Sequence, residues 1–181
     1  YPFLLNLPMY LNLPLLSLFI FLSTLLLSST ISNVFLQFLS PTVETLFLNI
    51  KQSLTLIDKF SLMLLSGLYI GIMGTVTGHE LVHRTKNKFD MFVGNWLLAF
   101  SWDCTFAVEH VYGHHKNVAT PIDPATGKRG ENIYKFVLRA IFSEHKDAWK
   151  IEINRLKLSR KNLFSVKNRM LIGYFRSITI S

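Results

Sequence analysis

The sequence has a single cysteine, Cys104, so no disulfide framework can form within it and no Cys-x-x-Cys electron carrier is built into it. Any reducing equivalents its chemistry needs come from a separate protein. It is also short of acid: 11 Asp and Glu against 19 Lys and Arg leave a net charge of +8. Such an excess serves a nucleic-acid binder when the cations form a contact surface. Here nearly all of the surplus lies in Arg84, Lys86 and Lys88 and then from Lys116 onward, in polar segments flanking apolar ones. That placement is the positive-inside bias of cytoplasmic membrane-protein segments, and it argues against nucleic acid as a partner.

Half of the residues are apolar, and they are concentrated before Phe106 in long runs almost free of charge, which is a membrane signature. Residues 15–39 are long enough for a first span and residues 60–78 for a second. Between them Pro41 ends the first, and Glu44, Lys51, Asp58 and Lys59 nearly cancel, as suits the non-cytoplasmic side. The first 14 residues, with Pro2, Pro8 and Pro14, read as a connecting loop or the end of an earlier helix. Gly67, Gly71, Gly74 and Gly78 form one helical stripe, which suits close packing of a neighbouring helix. They lack the preceding strand and following acid of a dinucleotide fingerprint.

Residues 89–108 are apolar again but contain Asn95 and Asp103, costly at mid-bilayer, and Trp96 and Trp102, which favour the interface. The segment is expected to form a helix that lies along the cytosolic surface or dips in and returns. Residues 109–169 are expected to form a polar, basic cytosolic cap, with a loop marked by Pro121, Pro124, Gly127 and Gly130 and a helix over 131–161. Residues 170–181 read as the start of a further span. Because the chain starts at Tyr1 and stops as that apolar stretch gets under way, it is expected to be a piece of a longer protein. The expected fold class is all-α: integral membrane helices with a histidine-rich cytosolic cap.

The chemistry is carried by histidine. His79 and His83 are four apart and share a helix face; His110 and His114 repeat that spacing, and His115 adds a ligand one residue on. Five imidazoles in two compact clusters at helix ends are hard to explain as packing, given the cost of burying unpaired polar groups. They share one site only if residues 89–108 do not cross the bilayer. Imidazole suits iron, zinc, copper and nickel, so residue type alone does not name the metal. The first cluster, His79-Glu80-Leu81-Val82-His83, also spells the H-E-x-x-H of zinc proteases, but five histidines exceed what that chemistry uses. The excess favours two metal ions, or one in an unusually nitrogen-rich shell. Glu80, Glu109 and Asp123 are candidate carboxylates behind the ligands, or surface ion-pair partners. His145, among charged residues, reads as solvated.

GHELVHR at 78–84, EHVYGHHKNVA at 109–119, then TPIDPATGKRGENIYKF and AWKIE closely resemble the membrane alkane 1-monooxygenases. These lie within the superfamily of membrane fatty acid desaturases and hydroxylases. The likeness covers about 79–152. It implies two non-haem iron ions, with dioxygen as co-substrate and terminal hydroxylation of an alkane or alkyl chain as the reaction. His79, His83, His110, His114 and His115 would be iron ligands. It further implies electrons from a rubredoxin or ferredoxin fed by a NAD(P)H reductase, and a hydrophobic small-molecule substrate entering from membrane lipid. The location it implies is the inner (plasma) membrane if bacterial, with the metal site on the cytosolic side. A fatty acid desaturase uses the same scaffold and is the nearest alternative, with a zinc protease and a non-catalytic remnant behind it. Family members complete the iron site with a later histidine cluster, so this stretch alone is expected to be inactive. Arg84 stands where the best-known relatives carry lysine. Tyr69, Ile72 and Val76 fall on the helical face of His79 and His83 by steps of three and four and are candidate lining for a substrate channel.

Overall fold

The computed structural model describes residues 3–30 and 33–181, and every regular element among them is helical. In order these are α1 (Phe3–Leu27), α2 (Asn33–Gln37), α3 (Pro41–Ser53), α4 (Leu56–Tyr69), a π-helical segment π1 (Ile70–Val76), α5 (Thr77–Val82), α6 (Lys88–Ala99), α7 (Phe106–Glu109), a second π segment π2 (His110–His114), α8 (His115–Asn117), α9 (Ile133–Leu158) and α10 (Arg169–Ile180). They fall into two compact units, Tyr1–Met73 and Gly74–Ser181.

In the first unit α1 packs on α4, with Phe19 meeting Tyr69 edge-on at 4.8 Å between ring centres. The expected span over 15–39 is replaced by a helix that starts at Phe3, runs through Pro8 and Pro14, and ends at Leu27. Residues 31 and 32 of that span, and Pro2 before it, lie outside the described residues. The helix stops where Ser28, Ser29 and Thr30 offer the backbone other partners: the Ser28 hydroxyl donates to the Thr30 carbonyl. Lys51 then closes the end, its ammonium donating to the carbonyls of Leu25, Leu26 and Ser28, as a cation at a helix C-terminus should. The expected connecting loop over 41–59 is itself helical. Ser40 caps α3 with Pro41 at its first position, and Thr55 with Asp58 forms a capping box that starts α4.

Two helical stretches, Phe3–Leu27 and Leu56–Val82, are long and apolar enough to cross a membrane. Few of their residues are buried in a protein core, which is the behaviour of lipid-facing helices and places this chain at the membrane. Of the glycine stripe, Gly67 and Gly71 have no described neighbour near the place a side chain would occupy.

The second unit is built on a close contact between α5 and α6. A Cβ on Gly78 would lie 2.9 Å from Leu98 Cγ, and one on Gly94 would lie 3.0 Å from the Gly78 carbonyl oxygen. Only glycine at both positions lets the backbones approach this far. Val82, Leu98 and Ala107 bury one small core, and Val108, Ala148 and Met170 a second. The expected continuous helix over 89–108 is interrupted. Asn87 caps α6 through the N–H groups of Phe89 and Asp90, but the helix ends at Ala99. Beyond it the Ser101 hydroxyl bonds the Leu98 carbonyl and Trp102 turns to a positive φ of 57°. Asp103 then accepts from the Thr105 hydroxyl, and α7 begins at Phe106. Local polar groups thus break an apolar run that hydropathy alone reads as unbroken.

Helix α9, capped by Asn132, occupies most of the expected 131–161 helix. The turn between α9 and α10 is pinned by Glu152, whose buried carboxylate accepts from Arg155 at 2.6 and 2.8 Å and from the Arg169 guanidinium at 2.8 Å and backbone N–H at 2.7 Å. Burial alone would raise its pKa; these four hydrogen bonds outweigh that and hold it at about 2.

Candidate metal centre

Four of the five histidines gather around one ring. The Nε2 of His110 lies 3.0 Å from the Nε2 of His79 and 3.1 Å from the Nε2 of His115. His83 closes the group, its ring centre 4.8 Å from those of His79 and His115 and 5.2 Å from that of His110. Ring nitrogens of His79, His83 and His110 all lie within 4.8 Å of one another. Phe106 stacks on His110 at 4.2 Å and covers His79.

Local backbone geometry explains how His115 joins. In an α-helix a residue five positions on points about 140° away from the first, so His110 and His115 would face apart. In π2 the N–H of His115 instead bonds the carbonyl of His110. This i→i+5 bond brings the two side chains to one side. Residue spacing alone gives His115 no reason to converge on His110. Gly113 inside the π turn is the one local sign: a Cβ there would meet Glu109 Oε1 at 2.7 Å and Ile151 at 3.1 Å, so the turn packs on α9 only without a side chain. The first π segment stands just before α5, which carries His79 and is capped at its C-terminal end by His83.

His114 is held differently. Its ring stacks on His110, while its Nδ1 lies 3.0 Å from Asp123 Oδ2. Asp123 is 3% exposed and also accepts from the Thr126 hydroxyl and the Ala125 N–H. Burial raises its pKa, but these bonds together hold it below the ordinary aspartate value, so it is a carboxylate. The loop that carries it is fastened by Arg139, which donates to the carbonyls of Pro124 and Thr126 and to both carboxylate oxygens of Glu131. Thr126 and Arg139 were not singled out in the sequence.

Of the other candidates, Glu80 is mostly exposed and accepts from Arg84 at 3.0 Å, a surface ion pair. Glu109 is buried, and its Oε1 has no hydrogen-bond partner among the described residues. Burial, and then the charges of Glu144 and Asp123, push it up to about 7. Tyr69 lies in α4 against Phe19; Ile72 and Val76 lie in π1 and are exposed. His145 is half-buried rather than fully solvated: its Nε2 lies 2.6 Å from the Tyr174 hydroxyl, which accepts from Trp149 Nε1 at 2.7 Å.

The donor set fits a metal. With a metal–nitrogen bond of about 2.1 Å, two imidazole nitrogens at right angles stand about 3.0 Å apart, close to the spacing of both pairs at His110. Without a cation, three Nε2 atoms meeting so closely compete for very few protons. Desolvation first, then the neighbouring imidazoles, holds His110 down at about 3, so it is a neutral donor.

The chain resembles several curated proteins along this same stretch. It is 45% identical over 95 residues to alkane 1-monooxygenase 1 of Alcanivorax borkumensis, covering 52% of this chain and 23% of that protein. It is 40% identical over 120 residues to an alkane 1-monooxygenase of Pseudomonas putida, covering 66% and 29%. The corresponding protein of Acinetobacter baylyi is 36% identical over 144 residues, covering 80% and 33%. The chain therefore spans about a quarter to a third of the length of these relatives. A sequence model of the fatty acid desaturase family matches residues 59–179, well over half of the chain and all six of its histidines. This chain belongs to the fatty acid desaturase family.

Proposed function

We propose that the chain forms the histidine-rich part of a membrane monooxygenase that hydroxylates the terminal carbon of an alkane or alkyl chain. The observation that carries this reading is the convergence of His79, His83 and His115 on His110, in a chain similar to proteins named alkane 1-monooxygenases. His79, His83, His110, His114 and His115 would hold two iron ions, with further ligands from the rest of the protein. Bound iron would supply the activation of dioxygen that an unactivated C–H bond requires.

The chain's own residues prepare that site. His110 stays neutral and keeps a lone pair for a ligand bond. Asp123 holds His114 by Nδ1 and would leave its Nε2 lone pair free for a metal ion, the usual work of a carboxylate behind a ligating imidazole. Phe106 covers the rings and limits water. The exposed apolar side chain of Val76, three residues before His79 in the sequence, suits a substrate that arrives from lipid. With no cysteine pair in the chain, electrons would come from a rubredoxin or ferredoxin and its NAD(P)H reductase, on the cytosolic face where the basic segments lie.

The test is product analysis of the complete protein in membranes, supplied with reductase, rubredoxin and NADH under ¹⁸O₂. The expected product from octane is 1-octanol carrying one labelled oxygen. An unlabelled alkene from an acyl substrate, or peptide cleavage without oxygen, would replace this reading with a desaturase or a zinc protease.

A further inference from the structure

A cavity of about 310 Å³ opens between α6, α7 and α10. Its wall is amphiphilic. Lys88, Arg169 and Arg176 line it together with Asn95, while Phe92 and Ile172 supply apolar surface, and no acidic side chain is present. Arg169 is already paired with Glu152. Arg176 is partly buried, and its contact is the face of Trp96 at 6.0 Å, the outer limit of a cation–π interaction. Among the described residues no carboxylate pairs with it or with Lys88. A guanidinium cannot shed its proton to escape burial, so a partly desolvated, unpaired one is stabilised by an anion from outside the chain.

Two further features say what kind of anion. Residues 153–181 hold seven Lys and Arg and no Asp or Glu, so the region around α10 attracts an acidic surface as well as a single ion. On the two helices that wall the cavity, Phe89 and Phe92 of α6, the latter also in the cavity wall, and Phe175 and Ile178 of α10 are all exposed, at spacings of three that give each helix an apolar strip. Cations within and apolar strips outside match a headgroup with its acyl chains.

We propose that this cavity binds the phosphate headgroup of an anionic membrane phospholipid, held by Arg176 and Lys88, with its chains lying along the exposed faces of α6 and α10. The site is separate from the histidine cluster and does not depend on the reaction proposed above.

The experiment places the complete protein in nanodiscs of phosphatidylcholine with a minor fraction of phosphatidylglycerol, then transfers it to detergent and reads retained lipid by native mass spectrometry. The wild type is expected to retain phosphatidylglycerol selectively. Arg176→Gln should lower that retention about five-fold, the worth of one cation near an anionic surface. Arg176→Lys, which keeps the charge, should retain most of it and controls for folding. Lys150→Gln, on an exposed part of α9, should change nothing. Equal retention by wild type and Arg176→Gln, or an equal loss from Lys150→Gln, overturns the proposal. So does thermal stabilisation by inorganic phosphate that matches that by phosphatidylglycerol, because the ligand is then a soluble anion.

Discussion

Asp123 shows how one buried carboxylate can set the direction of an imidazole. It is fixed by Thr126 and Ala125 and meets Nδ1 of His114, so the ring presents Nε2 on the other side. Asp123→Asn removes the charge and keeps the shape. It should weaken metal binding about 10- to 100-fold, measured by iron retention of the complete protein against a chelator. Unchanged retention would make His114 a packing residue. Glu152 gives a prediction in stability. Its pKa stands at about 2 in the fold against an ordinary value of 4.5, so ionisation favours folding. That contribution is complete above pH 4.5 and is lost as pH falls through 2. Glu152→Gln leaves Arg155 and Arg169 without their counter-charge. Both arginines are about a third exposed, so water offsets part of the loss, and the expected cost is about 3 kcal/mol, the low end for breaking a buried pair. Thermal unfolding in detergent should show a lower Tm for the variant at pH 7 and a difference that shrinks below pH 4.5.

At the scale of elements, two devices position the histidines. One is the π turn at 110–114, which swings His115 onto the side of His110. The other is the glycine contact between α5 and α6. Gly94→Val would drive a side chain into the Gly78 carbonyl, Leu81 and Val82, each 3.0 Å from its Cβ, on the helix that carries His79 and ends at His83. Overpacking there should cost about 1–3 kcal/mol. Gly67→Ala, inside α4 with nothing near its Cβ, should be neutral or stabilise by up to about 1 kcal/mol. Comparing the two melting temperatures separates glycines that pack from those that merely recur. The sequence shows Gly67 and Gly78, the glycine that Gly94 meets, in one stripe and contains nothing to tell them apart, because closeness of a second backbone is a tertiary property.

At the scale of the whole molecule, the site requires both histidine clusters to face one compartment. The break after Ala99 allows this, since α6 has only 12 residues, too few to span a hydrocarbon core of about 30 Å. In a background of Cys104→Ala, Lys86→Cys and Lys116→Cys should react with a membrane-impermeant maleimide from the same side of sealed vesicles. Labelling from opposite sides is incompatible with a shared centre.

The sequence by itself determined the helical class, the apolar stretches and the two histidine pairs at four-residue spacing, because periodicity, hydropathy and spacing are local properties. It also placed the cap helix within a few residues, since Asn132 starts it and no breaker interrupts 133–158. Tertiary structure decided the rest. Lys51 reaches back over more than 20 residues to end α1, which no window over 15–39 contains. His145, amid charges in the sequence, is drawn onto Tyr174 from another helix. The convergence at His110 depends on two backbones touching at glycine and on one widened turn, and such contacts exist only once the chain is folded.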